Sequence, residues 1–377
     1  MNILHITSHL NVGGVTRYIL SLSQALIQRG HQVTIASDAG ALESEASASG
    51  ATLWHVPLRT SAEMSPKVWQ STRQLAQRLH REPVDVIHAH TRVAQVVADR
   101  LSHRLKIPYV TTWHGFFRPN LGRRLWPCTG ALTMAISEPV RQHLIHDFHV
   151  PAERIRLIPH GIDPAPFESP VDPREAQQLR EQVGLPANEP VVGTVARLVA
   201  SKGVDQLIQA LPHIRTAVPT ARLLIVGDGE ERARLEQLAN ALSVRDAVHF
   251  AGALPATEAA LSLMSVFVFL PADKEGFGLS LLEAMAAARP IVAVRRGGGS
   301  TWALEQAQIG QLIEPGQPPA LAKAILDVLQ HGEAACRAAG QARALVRERY
   351  SIDRMVQQVE AVYREALVQT QSTVHSP

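Results

Sequence analysis

Short apolar runs rich in Val, Ile and Leu alternate along this chain with longer stretches whose apolar residues recur at helical spacing. In the first half the runs predict strands at residues 2–7, 32–37, 52–56, 84–88, 109–113, 132–136 and 156–159. Between the first two, residues 15–29 place Tyr18, Leu22 and Leu26 on one helical face, with Gly30 as the stop. A second series predicts strands at 191–196, 222–226, 248–251, 266–270, 291–294 and 311–313, again separated by helices. Strands alternating with helices are the pattern of βαβ units, and so of parallel sheets. Residues 319–367 read as helical, interrupted near Gly332 and Ser351, and residues 369–377 as a polar, frayed tail.

The alternation breaks after Gly161-Ile162-Asp163, where Pro164, Pro166, Pro170 and Pro173 follow, then a polar helix and Pro186-Ala187-Asn188-Glu189-Pro190. Proline density of this kind marks a linker. The expected organisation is therefore a Rossmann-like domain over 1–163, a linker over 164–188 and a second such domain over 189–350. A helix over 351–368 packs back on the first domain, and the tail follows. The fold class is α/β: two doubly wound parallel-sheet domains, expected to face each other across a cleft lined by the carboxyl ends of their strands.

Composition narrows the class. Of 377 residues 46% are hydrophobic and 19% charged, enough for two cores. The longest apolar run, 259–272, has 14 residues and contains Ser262 and Ser265, too short to span a bilayer. Met1-Asn2-Ile3-Leu4-His5-Ile6-Thr7 lacks a basic leader and reads as a first strand. Cys128 and Cys336 stand far apart without metal-type spacing, which suits a reduced, cytoplasmic setting. Residues 1–163 carry 17 Lys+Arg against 11 Asp+Glu, and 13 of the 17 histidines. That basic half suits a phosphorylated acceptor or peripheral contact with the inner face of a membrane; ordinary surface scatter accounts for it equally well. No basic stripe supports nucleic-acid binding.

The segment Pro271-Ala272-Asp273-Lys274-Glu275-Gly276-Phe277-Gly278-Leu279-Ser280-Leu281-Leu282-Glu283 runs from a strand end through a glycine loop into a helix. Free amides at such a helix start, approached closely through glycine, bind phosphate or sugar oxygens. Glu275 on the loop and Glu283 two turns into the helix can each accept hydrogen bonds from vicinal hydroxyls. Equally, Glu275 can merely complement the helix dipole and Glu283 be solvated. In Gly193-Thr194-Val195-Ala196-Arg197-Leu198-Val199-Ala200-Ser201-Lys202-Gly203 two cations bracket a turn, Arg197 at a strand end and Lys202 before a helix. They can hold a diphosphate, each charge-assisted contact being worth about 1.5–3 kcal/mol; the plain alternative is a basic surface turn. Gly13-Gly14, between the first strand and helix, would let backbone amides approach an anion.

Glu275-Gly276-Phe277-Gly278 with Glu283, and Arg197 with Lys202, resemble the donor-site signatures of family-four retaining glycosyltransferases of the GT-B fold. So do Gly13-Gly14, Asp85-Val86-Ile87-His88-Ala89-His90, Val110-Thr111-Thr112-Trp113-His114-Gly115, Ile158-Pro159-His160-Gly161-Ile162-Asp163 and Val226-Gly227-Asp228-Gly229. The likeness is collinear from residue 1 to about 350. It implies a nucleotide-sugar donor, UDP- or GDP-linked, held mainly by the second domain, and an acceptor that is a glycan, a glycolipid or another hydroxyl compound. By match, Arg197 and Lys202 hold the diphosphate, Glu283 the ribose and Glu275 the transferred sugar. Amides of Phe277, Gly278 and Leu279 assist, with Gly227 in the neighbouring turn. The base lies after Phe250-Ala251-Gly252, while Gly14 and His114 meet the donor from the first domain. The resemblance also implies catalysis without a divalent metal. One departure is that Gly297-Gly298-Gly299-Ser300-Thr301-Trp302 stands where the family often has Gly-Gly-x-Pro-Glu.

Rival readings leave other marks. His88 and His90 share a strand face and, with His114 and His160, invite a metal-hydrolase reading, yet no carboxylate set completes it. Gly227-Asp228-Gly229 begins a dinucleotide fingerprint, but Arg232 takes the third glycine position. A nucleotide-sugar epimerase of the same architecture would turn over donor without acceptor, and a non-catalytic binding module would not turn it over at all. Phe116-Phe117-Arg118-Pro119-Asn120-Leu121-Gly122-Arg123-Arg124-Leu125-Trp126 mixes cations with aromatics, as a loop touching a membrane or lipid-linked acceptor would; a mobile loop with a buried Trp is the alternative.

Overall fold

A computed structural model describes residues 1–271, 275–296 and 298–374 and divides into two compact units. The first comprises Met1–Gly161 with the C-terminal segment from Ile352; the second comprises Ile162–Ser351. Ala272, Asp273, Lys274, Gly297 and the last three residues, all in segments singled out from the sequence, lie outside the described residues.

The first unit holds β1 (Asn2–His9), β2 (Gln32–Asp38), β3 (Thr52–His55), β4 (Val86–Ala89), β5 (Tyr109–Trp113), β6 (Leu132–Ala135) and β7 (Ile155–Leu157). They form one parallel sheet in the order β3-β2-β1-β4-β5-β6-β7. The second unit holds β8 (Val191–Val195), β9 (Arg222–Val226), β10 (Val248–Gly252), β11 (Val266–Phe269), β12 (Ile291–Val294) and β13 (Gln311–Ile313). Its sheet is parallel too, in the order β10-β9-β8-β11-β12-β13. Each order reverses once, between β1 and β4 and between β8 and β11. In open α/β sheets the crevice at that reversal, outside the carboxyl ends of the strands, is where ligands bind.

All thirteen strands stand where the apolar runs placed them, with ends displaced by up to two residues. β4 starts at Val86; just before it, Asp85 is tied to β1, its amide donating to the Asn2 carbonyl at 2.8 Å and its carboxylate accepting from the Asn2 amide at 2.7 Å. β7 stops at Leu157, two residues before Pro159, which has no amide to donate. Strands β4, β5, β6, β11 and β12 are buried throughout, as helices on both faces require.

Residues 164–188, expected as a linker, carry the helices Ala165–Glu168 and Pro173–Gln182, and cluster with the second unit. Glu168 pairs with Arg347, and Asp172 caps the second helix by accepting from the Arg174 amide at 2.8 Å. The last helix, Ile352–Val374, packs on the first unit and runs past the expected end at residue 368, because main-chain hydrogen bonds extend a helix without apolar burial. Its Glu360, 3% exposed, accepts from Arg29 at 2.7 Å, His31 at 2.9 Å and Arg364 at 2.9 Å. No helix among the described residues is long and apolar enough to cross a membrane.

Candidate functional site

In the second unit, the turn after β8 and the loop after β11 flank the order reversal, and the structure joins them. Lys202 Nζ lies 2.5 Å from Glu275 Oε1, both side chains largely covered. The backbone supports this pair from beneath, since the Glu275 carbonyl accepts from the Gly299 amide at 2.8 Å and so ties the β11 loop to the β12 loop. Phe277 buries its ring against Tyr350, centroids 5.6 Å apart. The helix Leu279–Ala286 starts at Gly278 with no acidic residue in its first turn, so its leading amides carry uncompensated positive potential. Arg197 stands exposed where β8 ends. Glu283 faces the loop after β10: its Oε2 accepts from Thr257 Oγ1 at 3.0 Å.

Glycines on this edge have a packing duty. Gly227 has φ +130° and its amide donates to the Gly252 carbonyl at 2.7 Å; a Cβ there would fall 1.9 Å from the Ala196 carbonyl oxygen. Gly252, at φ +73°, completes that bridge. Leu198, two residues further, donates to the Asp228 carbonyl at 2.9 Å. The turns after β8, β9 and β10 are thus woven into one floor, and only glycine permits their closeness. In the departed segment, Ser300 and Thr301 are buried; Thr301 donates to Glu305 at 3.0 Å.

The first unit's reversal carries other chemistry. Gly13 and Gly14 have open space where a Cβ would stand, and they start the helix Gly14–Gln28. Where β1 and β4 end, the Ser8 and Thr91 hydroxyls meet at 2.8 Å. Register sets His5 opposite His88, and strand alternation puts His90 on the same face. His5 Nδ1 lies 2.7 Å from His90 Nε2, His90 Nδ1 lies 3.3 Å from His114 Nε2, and His114 Nδ1 lies 3.1 Å from His160 Nε2. His88 bonds the Tyr363 and Thr112 hydroxyls, each at 2.7 Å. Burial pushes His5 and His160 down to about 3 and holds His88, His90 and His114 well below the usual imidazole range. At neutral pH the cluster is uncharged. Ligand atoms of His5, His88 and His90 come within 4.8 Å of one another, but both nitrogens of His88 and of His90 are already engaged in hydrogen bonds.

Two family models together match most of the chain: Glycosyltransferase Family 4 over residues 12–166 and Glycosyl transferases group 1 over 175–345. The D-inositol 3-phosphate glycosyltransferase of Acidothermus cellulolyticus is 31% identical over 318 residues, 77% of this chain and 69% of that one. This chain belongs to the group 1, family 4 glycosyltransferases. Another relative of this glycosyltransferase, the N-acetyl-alpha-D-glucosaminyl L-malate synthase of Bacillus anthracis, is 28% identical over 306 residues, 78% of each chain. Among solved structures, a glycosyltransferase of Rickettsia africae superposes with a TM-score of 0.87 at 20% identity, covering 97% of this chain and 98% of that one. Anabaena HepE, solved with UDP and glucose, gives 0.84 at 22% identity, covering 97% and 100%. The likeness establishes the GT-B class of fold for this glycosyltransferase.

Sequence reasoning missed His5, Tyr18 and Tyr363 as members of the imidazole cluster, and Thr257 as the partner of Glu283. A signal for His5 was present: it interrupts the apolar run formed by Ile3, Leu4 and Ile6 in the first strand. In the loop mixing cations with aromatics, Phe117 packs on Trp113, Trp126 donates to Asp99 at 2.9 Å and Arg123 pairs with Glu63 at 2.6 Å. Leu121 and Leu125 remain 73% and 78% exposed.

Proposed function

We propose that this glycosyltransferase is a retaining enzyme that moves a hexose-type sugar from a UDP- or GDP-linked donor to an acceptor hydroxyl. The acceptor belongs to cell-envelope polysaccharide, lipopolysaccharide or glycolipid synthesis. The observation that carries the reading is the Lys202–Glu275 pair at the order reversal of the second sheet, beside the free amides of the Leu279–Ala286 helix. In this reading Lys202 and Arg197 take the diphosphate, Glu283 the ribose hydroxyls and Glu275 the sugar, with amides of Phe277, Gly278 and Leu279 assisting. Relatives that use inositol phosphate or malate by name, and a neighbour solved with UDP and glucose, support the donor and acceptor classes. The exposed Leu121 and Leu125 beside Arg124 support peripheral contact with the inner face of a membrane.

The bond from the anomeric carbon to the leaving phosphate oxygen breaks as positive charge on Lys202 and Arg197, with helix-end amides, stabilises that oxygen. The acceptor hydroxyl attacks from the same face, and its proton passes to the departing phosphate oxygen, so that nucleoside diphosphate and glycoside are the products. Two side-chain cations supply the charge that a divalent metal supplies in other transferases.

The test is incubation with UDP- and GDP-hexoses in the presence and absence of a glycan or glycolipid acceptor. Nucleoside diphosphate should be released in step with product, and the product's anomeric coupling should match that of the donor. Inversion, or an epimerised sugar nucleotide formed without acceptor, would reject the reading.

A further inference from the structure

The turn after β8 and the loop after β12 meet, although β11 separates their strands. Gly203, buried and left-handed at φ +60°, follows Lys202 directly and starts the helix Val204–Ala217. A Cβ at this glycine would stand 3.5 Å from Arg296 Nη2 and 3.0 Å from the side-chain nitrogen of Gln206. Arg296 follows β12, two strands away from β8, and neighbouring strands lie about 4.8 Å apart. Its guanidinium therefore crosses the carboxyl end of β11 to reach the Lys202 turn. That path lies in the crevice of the order reversal, where open α/β sheets take their ligands.

The charges around it favour an anion. Successive residues of a strand point to opposite faces, and Arg295 turns to Glu305 and Glu314. Asp205, the acid in the first turn of the helix Val204–Ala217, lies 3.7 Å from Arg234. Glu275 is held by Lys202. The helix begins on a glycine, which has no side chain to cap its leading amides, so positive potential collects at this turn. Arg296 adds a second cation there. An ammonium and a guanidinium gathered at a helix start repel each other, and an anion that both can bond relieves the repulsion. The planar fork of a guanidinium matches two phosphate oxygens at once.

We infer that Arg296 is a further binding residue for the diphosphate, a third cation after Lys202 and Arg197, which grips it from the β12 side of the crevice. The inference rests on the functional reading above and adds to it a residue that no sequence pattern singled out. Gly203 has its own part in the arrangement, because a side chain there would press on both Arg296 and Gln206.

The test is calorimetric titration of inorganic pyrophosphate into the wild type, Arg296→Gln and Arg296→Lys at several salt concentrations, with sugar transfer measured on the same samples. Arg296→Gln should bind pyrophosphate about tenfold more weakly. Its affinity should also fall less steeply as salt rises, since one cation is gone. Arg296→Lys, which keeps the charge, should recover part of the affinity and the steeper salt dependence. Equal affinities in wild type and Arg296→Gln, or a loss with unchanged salt dependence, overturn the inference, and so does a wild type that binds no pyrophosphate. The expected pattern in a protein that transfers no sugar would count against the functional reading alone; intact transfer with unaltered pyrophosphate binding in Arg296→Gln would count against the inference alone.

Discussion

At the order reversal of the first sheet, between β1 and β4, the side chains are imidazoles and hydroxyls bonded to one another. At that of the second, between β8 and β11, they are an ammonium and a carboxylate beside a helix start without acidic residues. One topology thus presents two chemistries. Burial keeps the histidines neutral, so the first edge can orient hydroxyls but cannot neutralise a diphosphate. At the second edge the ammonium and the carboxylate are paired and not fully covered, and a paired ammonium can be shared with an arriving phosphate. The two units share a topology; residue chemistry at equivalent strand ends is what sets them apart.

The largest expected effect is at the charged edge. Lys202→Ala should lower kcat about 10²–10³-fold, the range for losing one preorganised stabiliser of developing negative charge. Steady-state nucleotide release measures it, and wild-type turnover would break the contrast between the edges. Gly227→Ala tests the woven floor beneath that edge. A Cβ 1.9 Å from the Ala196 carbonyl oxygen, at φ +130°, should cost roughly 3 kcal/mol or more. Thermal unfolding should show a clear fall in Tm, and an unchanged Tm would mean that the turns after β8 and β9 are not held together as described.

A smaller effect belongs to the first unit, where Glu360 anchors the last helix. Its guanidinium and imidazole partners bring its carboxyl from 4.5 to about 2. Because the folded value lies below the unfolded one, the stabilisation is full above about pH 4.5 and is lost as pH falls through about 2. Glu360→Gln should therefore cost on the order of 2 kcal/mol at pH 7 and little near pH 2. Urea midpoints of both proteins across that range decide it; a difference independent of pH would remove the ion-pair explanation.

Much of the fold was legible because burial on both sheet faces demands continuous apolar strands, and helices between them repeat at a different period. The runs at 109–113, 222–226, 291–294 and 311–313 match their strands end to end. Residues 164–188 were less legible: proline marked the break in the series, but pairing of Glu168 with Arg347 is invisible until both are placed. The same holds at the sites. Glu275 and Lys202 drew notice by loop position and Glu283 by its place on the helix that follows, yet Lys202 and Glu275 are 73 residues apart and His5 and His90 are 85 apart. Which side chains meet across a reversal depends on strand order and register, and local pattern does not encode either. Gly227 drew notice as a glycine of the donor-site turn; that the Ala196 carbonyl also presses on it shows only once the turns are placed.

Titration calorimetry of the purified protein with UDP, GDP and their hexose conjugates, run beside Glu283→Ala, bears most directly on the second unit as the donor site. One nucleotide series should bind the wild type at one molecule per chain, and the variant should bind it at least about tenfold more weakly. No heat from any of these nucleotides, or equal affinities in the two proteins, would contradict it.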